Sequence, residues 1–467
     1  MKQLLNLNVA PDVFGPPLNP VQKIRTETIP LDLMKRVGDL TDLQIALHLL
    51  RYTHNSRFSY SFRLSSGRAS QDLARGMMKA TRGILSKMLN CEELPESSWR
   101  QALLPSGPGL GLIDLEQTAP YMAHASILEA IHRLAGTDSN RFGDLLSDSW
   151  WARLPDSPIH RAYTEAVQAI QSVKSDDMRF AKLQQLFATH VVTPKSMDNF
   201  LKDPSTPDTA KAIVSTTANS ELAPALFQAI PTTVDLTLSA AEMQICLRLL
   251  LGVELKLNSE MCDCDRVNGP LPLTMYHALS CKHHVGLISR HEWIKIVLIE
   301  LCKYAGLPCE AEPRQSIYGS KERPDFLIRF AKGGQDAAFD LTVLSPLRDL
   351  HSMTRTIRDE QGFLRQAERT KRNKYESKCA EQGTLFFPIV FSAFGGILNE
   401  SYHDVIEWLV SRVKKDTFEP PNWAATSQKS YWLQRLAIAL WKGNAYKVCQ
   451  FLPKKKEEQM EHFVISD

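Results

Sequence analysis

The sequence predicts an α+β, multi-domain chain, helical in its N-terminal half and α/β in its C-terminal half. Three observations predict it. Apolar residues recur at helical spacing from Leu40 onward, cysteines and histidines crowd into Met261 to His284, and strand-like runs alternate with helices after that point. At 467 residues the chain has room for about three domains. An apolar fraction of 43% and a charged fraction of 23% exclude wholesale disorder. No run approaches the roughly 18 uncharged apolar residues of a membrane span, and the first dozen residues lack a secretory pattern. Nine cysteines in such an intracellular chain point to free thiols or metal, not to a disulfide framework.

Residues 1 to 40, punctuated by Pro11, Pro16, Pro17, Pro20 and Pro30, read as an extended start. Leu40 to Ala135 carries a helical pattern with a turn at Pro105 to Gly111, where glycine and proline interrupt it. A second helical stretch covers Pro158 to Leu201, and Pro204 to Asp208 reads as a linker. Leu236 to Leu257 is an apolar helix, and Ser289 to Ala305 an amphipathic one closed by Gly306. Strands are expected over Phe326 to Phe330 and Ala337 to Leu344, turned by Lys332-Gly333-Gly334-Gln335. A helix over Met353 to Cys379, a strand over Leu385 to Phe391 and a helix over Ser401 to Lys414 complete the order.

The net charge of +3 conceals an asymmetry. Gln44 to Asn90 holds eight basic residues against the single acid Asp72, which leaves −4 for the remainder. Leu73, Met77, Ala80, Ile84 and Met88 form a buried helical stripe there. Arg75, Lys79 and Arg82 fall on the opposite face, because a two-residue offset turns a helix by about 200°. That face suits a phosphate backbone or is simply solvated, and Arg51, Arg57 and Arg63, interleaved with Tyr52, Phe58 and Tyr60, favour nucleic acid.

Cys262, Cys264, His277 and Cys281 have the spacing C-x-C-x12-H-x3-C. Two close donor pairs separated by a turn at Asn268-Gly269-Pro270 suit tetrahedral zinc, and four protein ligands make such a site structural. His283 and His284 are spare donors, and the alternative is that the cysteines are small core residues.

Strand alternation separates Phe339, Leu341 and Val343 from Asp340 and Thr342, and a hairpin brings Asp325 beside Asp340. Two carboxylates that close repel unless a cation lies between them, and hard oxygen ligands select Mg²⁺ or Mn²⁺. On the next helix Lys371 interrupts the inward row of Leu364, Ala367, Tyr375 and Cys379. It either serves a metal-bound dicarboxylate or snorkels from the stripe edge.

These residues carry a resemblance. His277-Ala278-Leu279-Ser280-Cys281, Gly286, Arg290-His291, Arg323-Pro324-Asp325, Asp340 and Lys371-Arg372-Asn373-Lys374-Tyr375 resemble the C-terminal part of site-specific non-LTR retrotransposon polyproteins. Trp99 to Pro105, followed by Gly107, Gly109, Leu110 and Gly111, is similar to the thumb that follows their polymerase palm. The resemblance covers about residues 40 to 395. It implies a remnant at 1–40, a thumb-like region at 41–155, a helical linker region at 156–257 and a zinc knuckle at 258–288. It further implies a PD-(D/E)xK restriction-like endonuclease at 289–415 and a tail at 416–467.

Asp325, Asp340 and Lys371 would be the catalytic triad, supported by Lys374 and Tyr375, with Cys262, Cys264, His277 and Cys281 as the knuckle. Arg75, Lys79, Arg82, Arg290 and Arg372 would contact nucleic acid. The implied cofactors are Mg²⁺ or Mn²⁺ and structural Zn²⁺. The implied partners are target DNA, template RNA or an RNA–DNA hybrid, and a polymerase portion of the same polyprotein, in the nucleus and without a membrane. Two departures stand out: Thr342 occupies the superfamily's usual lysine position, and no aromatic-x-Asp-Asp polymerase pair occurs, Asp176-Asp177 following Ser175. The chain therefore reads as a piece that begins after the palm. Its expected activity is nicking of target DNA, with a catalytically inactive nucleic-acid-binding remnant as the alternative.

Overall fold

The computed structural model describes residues 36–52, 68–119, 122, 193–264, 269–281, 286–313, 323–414 and 425–453. Arg57, Phe58, Tyr60, Arg63, His283, His284, Asp176, Asp177 and the helical pattern expected over 123–135 and 158–192 lie outside the described residues. The chain is α+β and mostly helical, and it divides into two compact units. One comprises residues 1–41, 45–105 and 111–204, the other 42–44, 106–110 and 205–467.

Helix α1 covers residues 43–52. In the first unit, α2 (Arg68–Met88) buries Ala74, Met77, Met78, Thr81, Ile84, Leu85 and Met88. This stripe is wider than the expected one, as a helix seated on a core requires. Helix α3 (Glu96–Ala102) buries Trp99, and α4 (Thr193–Lys202) buries Phe200. Arg100 crosses between these two helices, pairing with Asp203 at 2.5 Å and lying over the Phe200 ring.

The second unit begins with α5 (Asp208–Thr217) and α6 (Ala240–Leu251). Ser239 and Glu242 form a capping box at the start of α6, and Gly252, at φ 69°, closes it. These caps shorten the helix expected over Leu236 to Leu257. A two-stranded ribbon, β1 (Met261–Cys262) with β2 (Leu271–Pro272), leads to the short α7 (Met275–Ala278) and the long α8 (Gly286–Tyr304).

The sheet follows in the order β3 (Cys309–Ala311), β4 (Phe326–Lys332), β5 (Gln335–Leu344) and β6 (Leu385–Ser392). The first three strands are antiparallel neighbours, and β6 runs parallel to β5. Gly333 and Gly334, at φ 61° and 82°, make the two-residue β4–β5 turn that the sequence marks.

A parallel partner needs a crossover. It is supplied by α9 (Leu350–Arg358) and α10 (Gly362–Ala380), two helices where one was expected. The break has a local cause. Asp359 leaves the helical region at φ −145°, and its carboxylate accepts from Gln361 N–H and is held by Arg365. A Cβ on Gly362 would lie 2.7 Å from Asp359 Oδ2, so glycine there leaves the Asp359 carboxylate its place where the chain re-enters helix. Helix α10 then packs on β5 and β6 through Leu364, Tyr375 and Cys379. A helix over residues 399–412 follows, with a π-helical stretch at Tyr402–Glu407.

The tail expected over 416–467 is in its middle a core element. Helix α12 follows this π-containing helix, α11, and spans Gln428–Cys449. It buries Trp432, Leu436, Leu440 and Trp441 and lies along α8. Gly443 permits that approach, since a Cβ there would stand 2.5 Å from Arg290 Cγ and 2.7 Å from its Cα. Gly443→Ala is expected to cost about 1–3 kcal/mol in urea unfolding, as overpacking does. Gly76→Ala on α2, where a Cβ meets nothing within 4 Å, is expected to be neutral or stabilising.

Candidate functional sites

The Cys262, Cys264, His277 and Cys281 donor atoms all lie within 4.8 Å of one another. Strand β1 supplies Cys262, the chain just beyond it supplies Cys264, and α7 and its C-terminal turn supply His277 and Cys281. Thr274 caps α7 by accepting from the His277 N–H, which fixes where that imidazole emerges. Cys262 Sγ stands 3.6 Å from Cys281 Sγ, and Cys264 Sγ stands 3.3 Å from His277 Nε2. Zinc ligands at about 2.0–2.3 Å in a tetrahedron have edges of roughly 3.3–3.8 Å. The cluster is therefore compatible with a structural zinc site. Burial, and then the charge of Lys447, lower the His277 pKa and favour the neutral ring that a metal requires. Lys447, fully buried on α12, donates to the Leu279 carbonyl between the two last ligands.

The second cluster lies where β4 begins. Phe326 pairs with Phe339, so continuing that register by one residue sets Asp325 level with Asp340. The Asp325 N–H donates to the Phe339 carbonyl, and its own carbonyl accepts from Glu312 N–H. Asp325 Oδ2 accepts from Leu341 N–H at 2.5 Å and lies 3.1 Å from His291 Nε2. Asp340 is 7% exposed and faces α10, where Lys371 Nζ comes to 2.5 Å from its Oδ2. Lys371 thus turns inward from the stripe of Leu364, Tyr375 and Cys379, as its spacing predicts.

Burial raises the Asp340 pKa; Lys371 opposes this, and the neighbouring Asp325 adds to it. Two carboxylates, one lysine and one histidine thus lie in one cluster. Tyr375 is buried against Leu327, Ala338 and Phe386, and its ring lies 5.7 Å from Lys371 Nζ and 4.7 Å from Lys374 Nζ. Its ring is thus part of the α10–sheet packing under both ammonium groups.

His291 is the contact that reading for carboxylates and lysines passes over. Arg290-His291 stands out in the sequence only as part of the retrotransposon resemblance. One turn of α8 brings His291 to Asp325 and Glu292, while Lys295, 4% exposed, is held between Glu292 and Glu312. Burial works against protonating His291, but Asp325 and then Glu292 outweigh it and raise its pKa.

The expected nucleic-acid contacts fare differently. Arg290 is 2% exposed, and its guanidinium donates to Asn444 and the Val343 carbonyl, so it is enclosed in the fold and not presented to phosphate. Arg372 bridges Glu368 and Glu376 along α10. On α2, Arg75 pairs with Asp72, and Arg82 binds Glu96 and the Leu94 carbonyl. Lys79 is exposed on the same face.

No protein-family model matches the chain, and no curated protein matches it in sequence. Among the described residues no helix is long and apolar enough to cross a membrane.

Two outcomes are expected. Metal analysis of the purified chain should find one zinc per chain, lost in Cys262→Ser and His277→Ala variants, with Co²⁺ giving a tetrahedral thiolate spectrum. His291 should titrate above the ordinary histidine range by NMR. Its raised pKa means that its ion pairs stabilise the fold fully below the unfolded value, and that this stabilisation is lost as pH rises through the folded value. Asp325→Asn should bring the titration down.

Proposed function

We propose that the α+β unit is a metal-dependent DNA endonuclease that nicks target DNA, of the PD-(D/E)xK restriction-like kind carried by site-specific non-LTR retrotransposon polyproteins. The observation that carries this reading is the convergence of Asp325, Asp340 and Lys371 from a hairpin and a crossover helix. Nothing in the packing of a hydrophobic sheet demands two level carboxylates with a lysine aimed at one of them.

Asp325 and Asp340 would hold Mg²⁺ or Mn²⁺, which takes one or two carboxylates and completes its shell with water and substrate phosphate. The ion supplies a Lewis acid and a water of lowered pKa. The chain's own residues do the rest. Lys371 opposes the rise that burial gives the Asp340 pKa and offers an ammonium for the charge that develops on phosphorus-bound oxygen. It acts from helix α10 in place of the superfamily lysine, whose position holds Thr342. Lys374 and Arg369, exposed on α10, are suited to contacting the DNA backbone. Arg75 and Lys79 on α2 are suited to template RNA or an RNA–DNA hybrid in the same way.

The rival reading, a binding-only remnant, keeps the exposed basic residues without turnover; Arg82 and Arg372, whose charges are engaged by Glu96, Glu368 and Glu376, add little to it. Supercoiled DNA separates the two. The endonuclease should nick it in Mg²⁺ and not in EDTA. Asp325→Ala and Asp340→Ala should abolish nicking, and Lys371→Met should slow it about 10²–10³-fold. Nicking that survives both aspartate substitutions would sink the assignment. Salt-dependent binding without cleavage would select the rival.

A further inference from the structure

Each carboxylate of the pair has one oxygen committed to the protein. Asp325 Oδ2 accepts from both His291 Nε2 and Leu341 N–H, which uses the two lone pairs of that oxygen. Asp340 Oδ2 is closed to solvent and faces Lys371 Nζ at 2.5 Å. The Asp325 main chain is fixed as well, its N–H on Phe339 and its carbonyl on Glu312. Glu312 itself has φ 43°, a strained value for a residue with a side chain, and its carboxylate holds the buried Lys295. Lys295 also binds Glu292, whose other oxygen lies 3.4 Å from His291 Nδ1. A closed chain of contacts therefore runs from the Asp325 backbone through Glu312, Lys295, Glu292 and His291 back to the Asp325 side chain. A carboxylate can only accept, so the His291–Asp325 contact needs the proton on Nε2 and makes His291 a donor, not a metal ligand.

We propose that His291 is a positioning residue, which, resting on the endonuclease reading, ties down Asp325 Oδ2 so that only Oδ1 of each aspartate faces a cation and the site takes a single divalent ion. A carboxylate held by an outer hydrogen bond presents its free oxygen in one direction, and loss of such a partner costs about 10–100-fold in metal affinity. A second ion would need the two oxygens that His291, Leu341 and Lys371 already occupy.

The test is Mn²⁺ binding to the zinc-loaded full chain, followed by the electron paramagnetic resonance of free Mn²⁺, beside nicking of supercoiled DNA. The wild-type chain should bind one Mn²⁺, and Asp325→Asn should bind none. His291→Ala should bind about tenfold more weakly, with nicking largely recovered at saturating Mn²⁺. His291→Gln, whose amide can still donate to Asp325, should regain most of the affinity, and thermal melting should show both variants folded. Two Mn²⁺ per wild-type chain, or His291→Ala binding as wild type while Asp325→Asn does not bind, overturns this inference alone. Mn²⁺ binding and nicking indifferent to Asp325→Asn overturn the endonuclease reading and this inference with it.

Discussion

A guanidinium buried with no carboxylate partner among the described residues is the constraint on which the second unit turns. Burial lowers the Arg290 pKa to about 10, a measure of how strongly the site disfavours an exposed-style cation. Part of the cost is met by two neutral acceptors, Asn444 Oδ1 on α12 and the Val343 carbonyl on β5, which take the two terminal nitrogens and leave Nε buried. Asn444 in turn donates to the Ala393 carbonyl just beyond β6. Arg290 and Asn444 together thus join α8, β5, α12 and the chain just past β6, and Gly443 leaves room for the Arg290 side chain. His291, the next residue on α8, reaches Asp325 from a helix that this buried neighbour holds in place. From the same α12, Lys447 reaches the carbonyl of the metal-like cluster, and burial with the charge of Arg290 lowers its pKa to about 7.

The electrostatics of the carboxylate site follow from the same burial. Asp340 sits under α10, where desolvation favours its neutral form, and Lys371 is the group that opposes this. The break at Asp359–Gly362 lets α10 begin afresh over the sheet, so that Leu364, Lys371, Tyr375 and Cys379 share one inward row. Packing and charge compensation are therefore the same act at this helix. Burial and the nearby Asp325 push the Asp340 pKa up, and Lys371 and then His291 oppose them.

Charge counted along the chain overstated the basic character of α2. The acids that balance Arg82 and Lys87 come from Glu96 and Asp39, both outside the segment counted. These partly or fully exposed pairs carry little energetic weight, and Lys79 on the same face stays exposed. Arg290 shows the stronger form of the same lesson. A basic residue beside a histidine in an amphipathic helix looks solvent-facing until the helix that covers it is known.

The sequence by itself determined whatever depends on near neighbours. The C-x-C and H-x3-C pairs, the Gly-Gly turn between two strands and the inward Lys371 row all act within one element or one hairpin, where spacing dictates geometry. The level placement of Asp325 and Asp340 needs more than the turn: Lys332 pairs with Gln335, and a register shift between Ile328 and Lys332 brings Phe326 opposite Phe339. Only the tertiary structure decided what touches across elements. Residues 428–449 lie beyond a segment of polar and proline-rich sequence, and their burial depends on α8, more than a hundred residues earlier. The His291–Asp325 contact, the burial of Arg290 and the parallel pairing of β6 with β5 likewise join residues far apart in the chain. Periodicity reports which face of an element is apolar, but it carries no information about which other element will cover that face.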